Sequence, residues 1–396
     1  VVVHVIHRGS PIGTLENISD AQISSGINAL NQDFRKQLGT NGDGDGVDTF
    51  IQFALAKRTP EGEPTSGILR VDGRVLPDFE EDGIADSSMS VGAPDADVKS
   101  LSSWLGDDYI NIFIVPEING NDGLGGIKGY AYLGPTWDER DGIVLLSNVF
   151  GTEGEIKVGN LNRTTTHEMG HHLSLFHTFE NTQSCDQVES DCSLAGDQIC
   201  DTPVTAMNNS CSTNPCNAIL ENYMDYTPQS CRNMFTAGQR DRMRAMLHTG
   251  RASLLESLGA TPLVDRDLTF SGVLEPVSSV CVSEVTAEVI IRNQGTETVS
   301  SFRLSGTLNG QSIQSETFDE PVGPESTLTV SFPLGTAQLG NNTYALQVSV
   351  IGTDSDDFPG NNETEGSFVY TQSDTWTLAL TTGFFAAELD WSFIDE

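Results

Sequence analysis

Positive charge is scarce in this sequence. Only 20 of the 396 residues are Lys or Arg, against 56 Asp and Glu, and the formal net charge is −36. Such a negative surface repels phosphate backbones and anionic lipid headgroups, so we expect neither nucleic acid nor an anionic membrane as a partner. The simplest role of the charge is to keep the protein soluble, and some of the acidic residues are suited to calcium.

Long apolar runs are absent as well. No stretch approaches the roughly 18 apolar residues that a membrane span requires. The chain opens with VVVHVIHRG, an apolar run typical of a buried strand rather than of a signal peptide. We therefore expect any leader or pro-segment to lie outside this sequence.

The sequence also lacks a CxxC pair, which argues against a structural zinc site. Six of its seven cysteines are clustered, and Cys281 stands alone. Disulfides in an oxidising compartment explain such a cluster, so we predict a secreted protein. The pairing stays open, and Cys281 is either a buried free thiol or the partner of a cysteine outside this sequence. The disulfide candidates are Cys185, Cys192, Cys200, Cys211, Cys216 and Cys231.

The length favours more than one domain, because a single hydrophobic core seldom grows to this size. Apolar periodicity in the first part predicts a β-α-β start and further strands before two helices. A strand is predicted over 1–8, followed by a helix that Ser19 or Asp20 caps and whose apolar stripe is Ile23, Ile27, Leu30 and Phe34. Further strands are predicted in TFIQFALAKR, NIFIVP, GLGGIKGYAYLG (at an edge) and DGIVLLSNVFG. The two later helices are predicted over 163–176 and over about 236–258.

The pattern changes after Gly259. Short runs of alternating apolar and polar residues, separated by turn signals such as NQG and GNN, predict an all-β, Ig-like sandwich. We assign residues 1–260 to the first domain and 261–371 to the sandwich. The segment 372–396 is too short to fold alone, so it either begins a further module or adds strands to the sandwich.

The segment HEMGHHLSLFH predicts the chemistry. His167 and His171 are four residues apart, so on a helix both imidazoles face the same side and can bind one metal ion. Glu168 lies beside the first histidine, close to the place of a metal-bound water. Zinc lowers the pKa of such a water to about 7, and a glutamate can take its proton. The alternative for this motif alone is a surface helix with two unrelated histidines.

Two further features weaken that alternative. His177 lies where a third ligand would return to the metal, and NYMDY places Met224 shortly before Pro228. The segments THEMGHHLSLFHTFE, GDQICDTP and NYMDYTPQSCRNMFTAGQRDRM, together with the opening of the chain, resemble the pappalysin family of metzincin zinc peptidases. The resemblance covers most of residues 1–250. It implies an α+β metzincin-like catalytic domain in which a mixed twisted sheet supports an active-site helix.

The resemblance also implies roles for individual residues. His167, His171 and His177 match the zinc ligands, and Glu168 matches the general base. Met224 matches the Met-turn, an apolar floor beneath the metal. Tyr226 matches a tyrosine that hydrogen-bonds the tetrahedral intermediate, and a phenol near a metal can stabilise developing oxyanion charge. A packed aromatic residue is the equal alternative for this tyrosine.

Two positions depart from the family pattern. Ser174 stands where the pattern has glycine, which ends the helix in a left-handed conformation at little cost. For serine that conformation costs roughly 1–2 kcal/mol, so either the fold holds Ser174 there or the turn differs. His172 is an extra histidine, for which we expect a structural or solvent-facing role.

The resemblance implies calcium in GDQICDTP, where Asp197, Asp201 and Thr202 offer hard oxygen ligands; turn and cap chemistry is the alternative. The loop NGDGDGVD, residues 41–48, resembles the front half of a calcium loop. However, Gln52 stands where the closing glutamate belongs, so an acidic turn explains this loop at least as well.

Substrate preference is predicted from the segment after the Met-turn, which in metzincins helps to wall the pocket for the residue after the scissile bond. Residues 227–232, TPQSCR, contain no carboxylate. We therefore expect a broad preference for the residue after the scissile bond rather than a strict preference for Lys or Arg. The expected substrates are proteins or peptides, and profiling their cleavage tests this preference.

The sequence thus predicts a secreted zinc metalloendopeptidase with catalytic zinc and structural calcium, of open oligomeric state. A surface binding or adhesion protein on an inactive peptidase scaffold is the alternative from another class, although such a scaffold does not need Glu168. A zinc peptidase whose third ligand is a glutamate is a further alternative, and Glu189 is the nearby candidate.

Overall fold

The computed structural model describes residues 1–86, 91–134, 140–182, 192, 194–213, 215–351 and 356–372. The chain forms two compact units, one of Val1–Leu263 and one that starts at Val264. Within the described residues, no helix combines the length and the apolar character needed to cross a bilayer. We predict that the segment 372–396 begins a further module or adds strands, and all of it except residue 372 lies outside the described residues.

A five-stranded sheet of order β2-β1-β5-β7-β6 forms the centre of the first unit. The first four of these strands are parallel to one another, and β6 pairs with β7 antiparallel at the edge. Two short parallel strands, β3 and β4, pair separately. The strands are β1 (Val2–His7), β2 (Ile68–Asp72), β3 (Ile84–Ala85), β4 (Ala93–Pro94), β5 (Asn111–Val115), β6 (Gly129–Ala131) and β7 (Ile143–Leu146).

The described residues of this unit form the α-helices α1 (Asp20–Phe34), α2 (Phe79–Asp82), α3 (Asp95–Ser100), α4 (Arg163–His172), α5 (Ala237–His248) and α6 (Ser253–Glu256). Helix α1 begins as predicted, because the Ser19 side chain accepts a hydrogen bond from the Gln22 N–H. Its predicted apolar stripe is buried in one hydrophobic cluster with Met169 of α4. The two helices therefore pack on the same face of the sheet.

The strand predicted in TFIQFALAKR is wrong, and β2 occupies the neighbouring place in the sheet instead. Phe50 has a φ of 57°, which a strand does not allow. The Asn31 side chain donates to the Phe53 carbonyl and accepts from its N–H, so this segment is held without a strand partner. Alternating apolar residues here mark burial against α1 rather than a ladder.

The two predicted helices in the second half of this unit are shorter than expected. The helix predicted over 163–176 ends at His172, because Ser174 adopts a left-handed backbone conformation. The helix predicted over 236–258 is broken between α5 and α6 by a turn that includes Gly250. A glycine in a helix weakens it by about 1 kcal/mol relative to alanine, and this one marks the break.

The described part of the second unit is β-rich, in agreement with the prediction of strands there. Its strands are β8 (Leu268–Glu275), β9 (Ser279–Val280), β10 (Glu284–Asn293), β11 (Phe302–Leu308), β12 (Gln311–Phe318), β13 (Thr327–Thr336), β14 (Gly340–Val350) and β15 (Glu363–Tyr370). They form sheets of order β13-β10-β8 and β12-β11-β14-β15-β9, and inward side chains of both sheets share one hydrophobic cluster. Whether the topology is Ig-like stays a prediction.

Two disulfides confirm the expected use of the clustered cysteines: Cys192 pairs with Cys200, and Cys211 pairs with Cys231. Cys216 is also disulfide-bonded. The predicted candidate Cys185 lies outside the described residues. Cys281 is free but exposed, so the expectation of a buried thiol is wrong.

A buried histidine in β1, His4, has surroundings that make it titrate differently in the folded and unfolded protein. The ring of His4 stacks on Phe113 with 4.6 Å between centroids, and its nitrogens lie 2.9 Å from Ser102 Oγ and 2.9 Å from Asn111 Oδ1. Burial lowers the pKa of His4 from 6.5 to about 4, and the hydrogen bond with Asn111 opposes this shift.

We expect His4 to make the protein less stable in mild acid. Between pH 6.5 and about 4 the unfolded chain binds a proton at His4 that the folded chain does not. The stabilisation is therefore present above pH 6.5 and is lost as the pH falls, by about 3 kcal/mol in total. Denaturant unfolding from pH 7 to pH 4 should show a shallower pH dependence for His4→Gln than for wild type. The exposed His248→Gln serves as control, and equal slopes for all three proteins would contradict the assignment.

Candidate metal centre

Helix α4 carries the first two histidines of the motif. His167 and His171 lie one turn apart on its buried face, with 4% and 7% exposure. The start of the helix is fixed from inside, because buried Asp33 of α1 accepts hydrogen bonds from both Arg163 and Thr166. The two imidazoles therefore project from a rigid element.

The turn that follows α4 brings the third histidine back. Ser174 has a φ of 70°, and the N–H groups of Leu173 and Leu175 both donate to the Gly170 carbonyl. The fold thus holds Ser174 in the left-handed conformation that the family pattern assigns to glycine. Its hydroxyl donates to the Gly134 carbonyl over 2.9 Å, and such a bond contributes about 1 kcal/mol net. This offsets much of the roughly 1–2 kcal/mol conformational cost.

The Nε2 atoms of the three histidines converge on one point. Nε2 of His171 lies 3.1 Å from Nε2 of His167 and 3.0 Å from Nε2 of His177, and the third Nε2–Nε2 distance is 3.2 Å. Three nitrogens at about 2.0–2.1 Å from a tetrahedral zinc ion would be about 3.3 Å apart. The triangle is therefore of the size that zinc requires. A search of the described residues for three or more possible metal ligands close together finds these three histidines.

Each histidine is also held from its other nitrogen. Nδ1 of His167 lies 2.7 Å from the Tyr223 carbonyl, and Nδ1 of His171 lies 2.7 Å from the Leu175 carbonyl. A carbonyl only accepts, so Nδ1 carries the proton in both rings and the Nε2 lone pairs face the shared point. Nδ1 of His177 lies 3.4 Å from Glu180 Oε2.

The electrostatics of the pocket favour neutral imidazoles. Burial lowers the pKa of His167 well below its usual value, and burial also lowers those of His171 and His177 to about 4. At neutral pH all three rings are unprotonated at Nε2, which is the form that binds a metal.

Glu168 lies in the same cleft as the three histidines and is buried, with 7% exposure. Burial raises the pKa of its carboxyl to about 8, while the positive charge of Arg232 and the backbone N–H of Ala131 in β6 lower it. A carboxyl with this proton affinity can both accept and release a proton near neutral pH.

Met224 packs on α4, and Tyr226 packs on the imidazole rings. Met224 is fully buried, and a Cβ on Gly170 would lie only 2.4 Å from its sulfur, so any larger residue there would displace the methionine side chain. Tyr226 is 45% exposed and lines the cleft, with its ring centroid 4.8 Å from that of His177. Its ring packs on Phe179, but its exposure sets it apart from a fully packed core aromatic.

Comparisons with known proteins agree with this geometry. The model of peptidase family M43, described as pregnancy-associated plasma protein-A, matches residues 92–248. An extracellular metalloprotease of Arthroderma otae is 28% identical over 249 residues, 61% of this chain and 75% of that protein. One of Verticillium alfalfae is 35% identical over 156 residues, 35% of this chain and 50% of that protein.

A solved structure matches over a larger share. Mature mirolysin of Tannerella forsythia, in complex with a cleaved peptide, is 31% identical with a TM-score of 0.52, and the match covers 64% of this chain and 93% of that chain. The chain belongs to the pappalysin family. The predicted resemblance is thereby confirmed, as is a mixed α/β unit of the kind found in the metzincin mirolysin. Family membership implies zinc as the metal of the three histidines, and a metallopeptidase as the activity.

His172, which is not one of the three predicted zinc ligands, is buried in this pappalysin. His172 has no exposure, and its Nδ1 lies 3.5 Å from Arg251 Nη2 and 3.9 Å from Asp141 Oδ1. Burial lowers its pKa to about 3. Of the two expected roles the structural one is confirmed, and the solvent-facing one is wrong because α4 is buried on all sides.

The predicted calcium residues of the pappalysin chain are engaged within the protein. Asp197 Oδ1 accepts from the Thr202 hydroxyl and the Ile199 N–H, whereas its buried Oδ2 has no hydrogen-bond partner in the structure. Asp201 accepts from the Thr236 hydroxyl and the Gly238 N–H at the start of α5. Cap chemistry therefore accounts for Asp201, and one oxygen of Asp197 is left free.

The second acidic segment of this pappalysin is a turn. Asp48 pairs with Arg35 and accepts from the Phe50 N–H, and Asp43 accepts from the Gly39 N–H. These contacts favour the acidic-turn interpretation, while Asn41 and Asp45 are exposed. The alternative third zinc ligand, Glu189, lies outside the described residues.

One residue of the pappalysin cleft was missed by sequence reasoning. Arg232 lines the same cleft of about 600 Å³ as Glu168 and the three histidines. Its segment, residues 227–232, contains no carboxylate, and the broad substrate preference is predicted from that absence. The feature that could have indicated its role is its positive charge, because Arg232 is the charged residue of the segment TPQSCR.

Proposed function

We propose that this chain is a secreted zinc-dependent endopeptidase that hydrolyses peptide bonds in proteins. The observation that carries the proposal is the convergence of three Nε2 atoms beside Glu168 in an open cleft. His167, His171 and His177 would hold the zinc. When bound, zinc lowers the pKa of a coordinated water to about 7 and polarises the scissile carbonyl.

The chain's own residues supply the remaining steps. Glu168 accepts the proton of the attacking water, and its raised pKa lets it pass that proton to the leaving amine. Tyr226, whose ring packs beside that of His177, donates a hydrogen bond from its hydroxyl to the developing oxyanion. Met224 packs against Gly170 of α4, one residue before His171, and would keep the helix that carries the histidines in place.

Secretion and calcium belong to the same proposal. Disulfides persist in oxidising compartments, and the fungal relatives are named extracellular metalloproteases. A calcium ion at Asp197, Asp201 and Thr202 would give the free Asp197 oxygen a partner, and burial raises the pKa of that carboxyl to about 6. The ion would stabilise the loop and take no part in hydrolysis.

Metal removal tests the proposal. We expect 1,10-phenanthroline to abolish casein cleavage, and addition of about one equivalent of zinc to the dialysed protein to restore it. A calcium-selective chelator should lower the melting temperature, because it removes the ion at Asp197, without stripping zinc. Full casein cleavage by protein shown to contain no metal would contradict the proposal. An unchanged melting temperature would contradict the calcium site alone.

Two features motivate the alternative of an inactive binding scaffold: the departure at Ser174 and the large β region. The first motive is removed, because Ser174 adopts the conformation that the turn needs. The β region remains, but it does not account for Glu168 in the cleft. No second function is proposed.

A further inference from the structure

Arg232 places a positive charge inside the cleft. The residue follows the Met224 segment, and only 9% of it is exposed. Its Nη1 donates to the Asp225 carbonyl over 3.2 Å and, more weakly, to the Tyr223 carbonyl over 3.5 Å. Its Nε is buried and has no hydrogen-bond partner in the structure.

No carboxylate of the described residues lies within ion-pair distance of this guanidinium. Among the ion pairs that the described residues form, none within 4.0 Å involves Arg232, so its direct partners are carbonyl oxygens. Burial lowers its pKa to about 10, and Glu168 and Asp225 act at longer range to raise it. Arg232 is therefore charged at neutral pH. A buried charge without a counter-ion is costly, and a site that keeps one is suited to an anionic ligand.

The guanidinium lies close to the reacting atoms. The Tyr223 carbonyl accepts from His167 Nδ1 over 2.7 Å and is also the weaker partner of Arg232 Nη1. One backbone oxygen thus joins a proposed zinc ligand to the arginine. A peptide whose scissile carbonyl sits at the three Nε2 atoms would bring a side chain that flanks that bond next to Arg232.

We propose that Arg232 makes this cleft select peptides with an aspartate or glutamate beside the scissile bond. The inference rests on the proposed peptidase function and names its substrate class. A carboxylate can accept two parallel hydrogen bonds from the guanidinium fork. Its negative charge also pairs with the positive charge of Arg232, which has no ion-pair partner among the described residues. A neutral side chain of the same shape would bury the guanidinium without pairing it, and a lysine or arginine would be repelled. This selectivity replaces the broad preference predicted from the sequence.

The acidic surface opposes this selectivity only at long range. The net charge of −36 repels an acidic peptide during approach, but at physiological ionic strength exposed charges are screened beyond about 8 Å. The contact with Arg232 is buried and screened much less. We therefore expect kcat/KM for an acidic peptide to rise as salt increases from low to physiological concentration, while its preference over the neutral analogue persists.

The experiment is cleavage-site profiling of a peptide library by the zinc-loaded protein, followed by kinetics on matched Glu and Gln peptides. Wild type should prefer the Glu peptide by about 10–100-fold in kcat/KM. Arg232→Gln should lose this preference, Arg232→Lys should retain part of it, and Arg240→Gln on α5 should not change it. The wild-type comparison decides the question even if Arg232→Gln does not fold.

The outcomes separate the two claims. Cleavage with no enrichment of acidic residues next to the cut, or with enrichment that survives Arg232→Gln, overturns the inference and leaves the peptidase function intact. A zinc-loaded protein that cleaves no peptide overturns both.

Discussion

Glu168→Gln is expected to lose protein hydrolysis almost completely while it keeps its zinc. The substitution preserves the size of the side chain but removes the group that accepts the proton of the attacking water. General acid–base catalysis contributes about 10²–10⁴-fold to rate, and kcat on casein should fall by at least that factor. The three histidines are not changed, so metal analysis should still find about one zinc per chain.

The matched control is Glu153→Gln. Glu153 is exposed in the loop before α4, and its loss should not change activity or zinc content. A Glu168→Gln protein that hydrolyses casein at the wild-type rate would contradict the role of Glu168 as general base. Loss of zinc together with activity would show instead that Glu168 supports the metal site.

The second large effect is expected from Asp33→Asn, at a buried residue of α1 that does not line the cleft. Asp33 is 2% exposed, and its oxygens accept hydrogen bonds from Arg163 and from the Thr166 hydroxyl, the latter over 2.5 Å. Removing the negative charge leaves the Arg163 guanidinium buried without its partner, which costs about 3–5 kcal/mol. Denaturant unfolding should show that loss of free energy, and zinc affinity should fall because α4 is no longer fixed beside His167.

Asp241→Asn provides the comparison. Asp241 pairs with Arg240 on α5, but its side chain is 67% exposed, and such pairs contribute at most about 1 kcal/mol. A similar small loss for Asp33→Asn would contradict the view that the buried pair anchors the helix of the metal centre.

Local patterns predicted the parts of this protein that depend on local physics. The four-residue spacing of His167 and His171 places both rings on one helix face whatever the rest of the fold does. The stripe of α1, its Ser19 cap and the edge position of β6 follow in the same way from period and capping. Alternation in the second half likewise predicted its two sheets.

The wrongly predicted strand, the burial of His172 and the missed Arg232 depend on contacts between distant residues. Asn31 satisfies the backbone at Phe53 and removes the need for a strand there, and no local pattern contains that bond. The burial of His172 depends on its distant neighbour Arg251. Arg232 looks like one more surface arginine until the fold places it in the cleft with Glu168.

X-ray absorption at the zinc edge of the purified protein, loaded with one equivalent of zinc, tests the central claim most directly. We expect three imidazole nitrogens at about 2.0–2.1 Å, one lighter oxygen ligand and no sulfur near about 2.3 Å. His177→Ala should lose one of the three imidazoles. Sulfur ligation, or a zinc ion with no imidazole in its first coordination sphere, would contradict the assignment of His167, His171 and His177 as the metal centre.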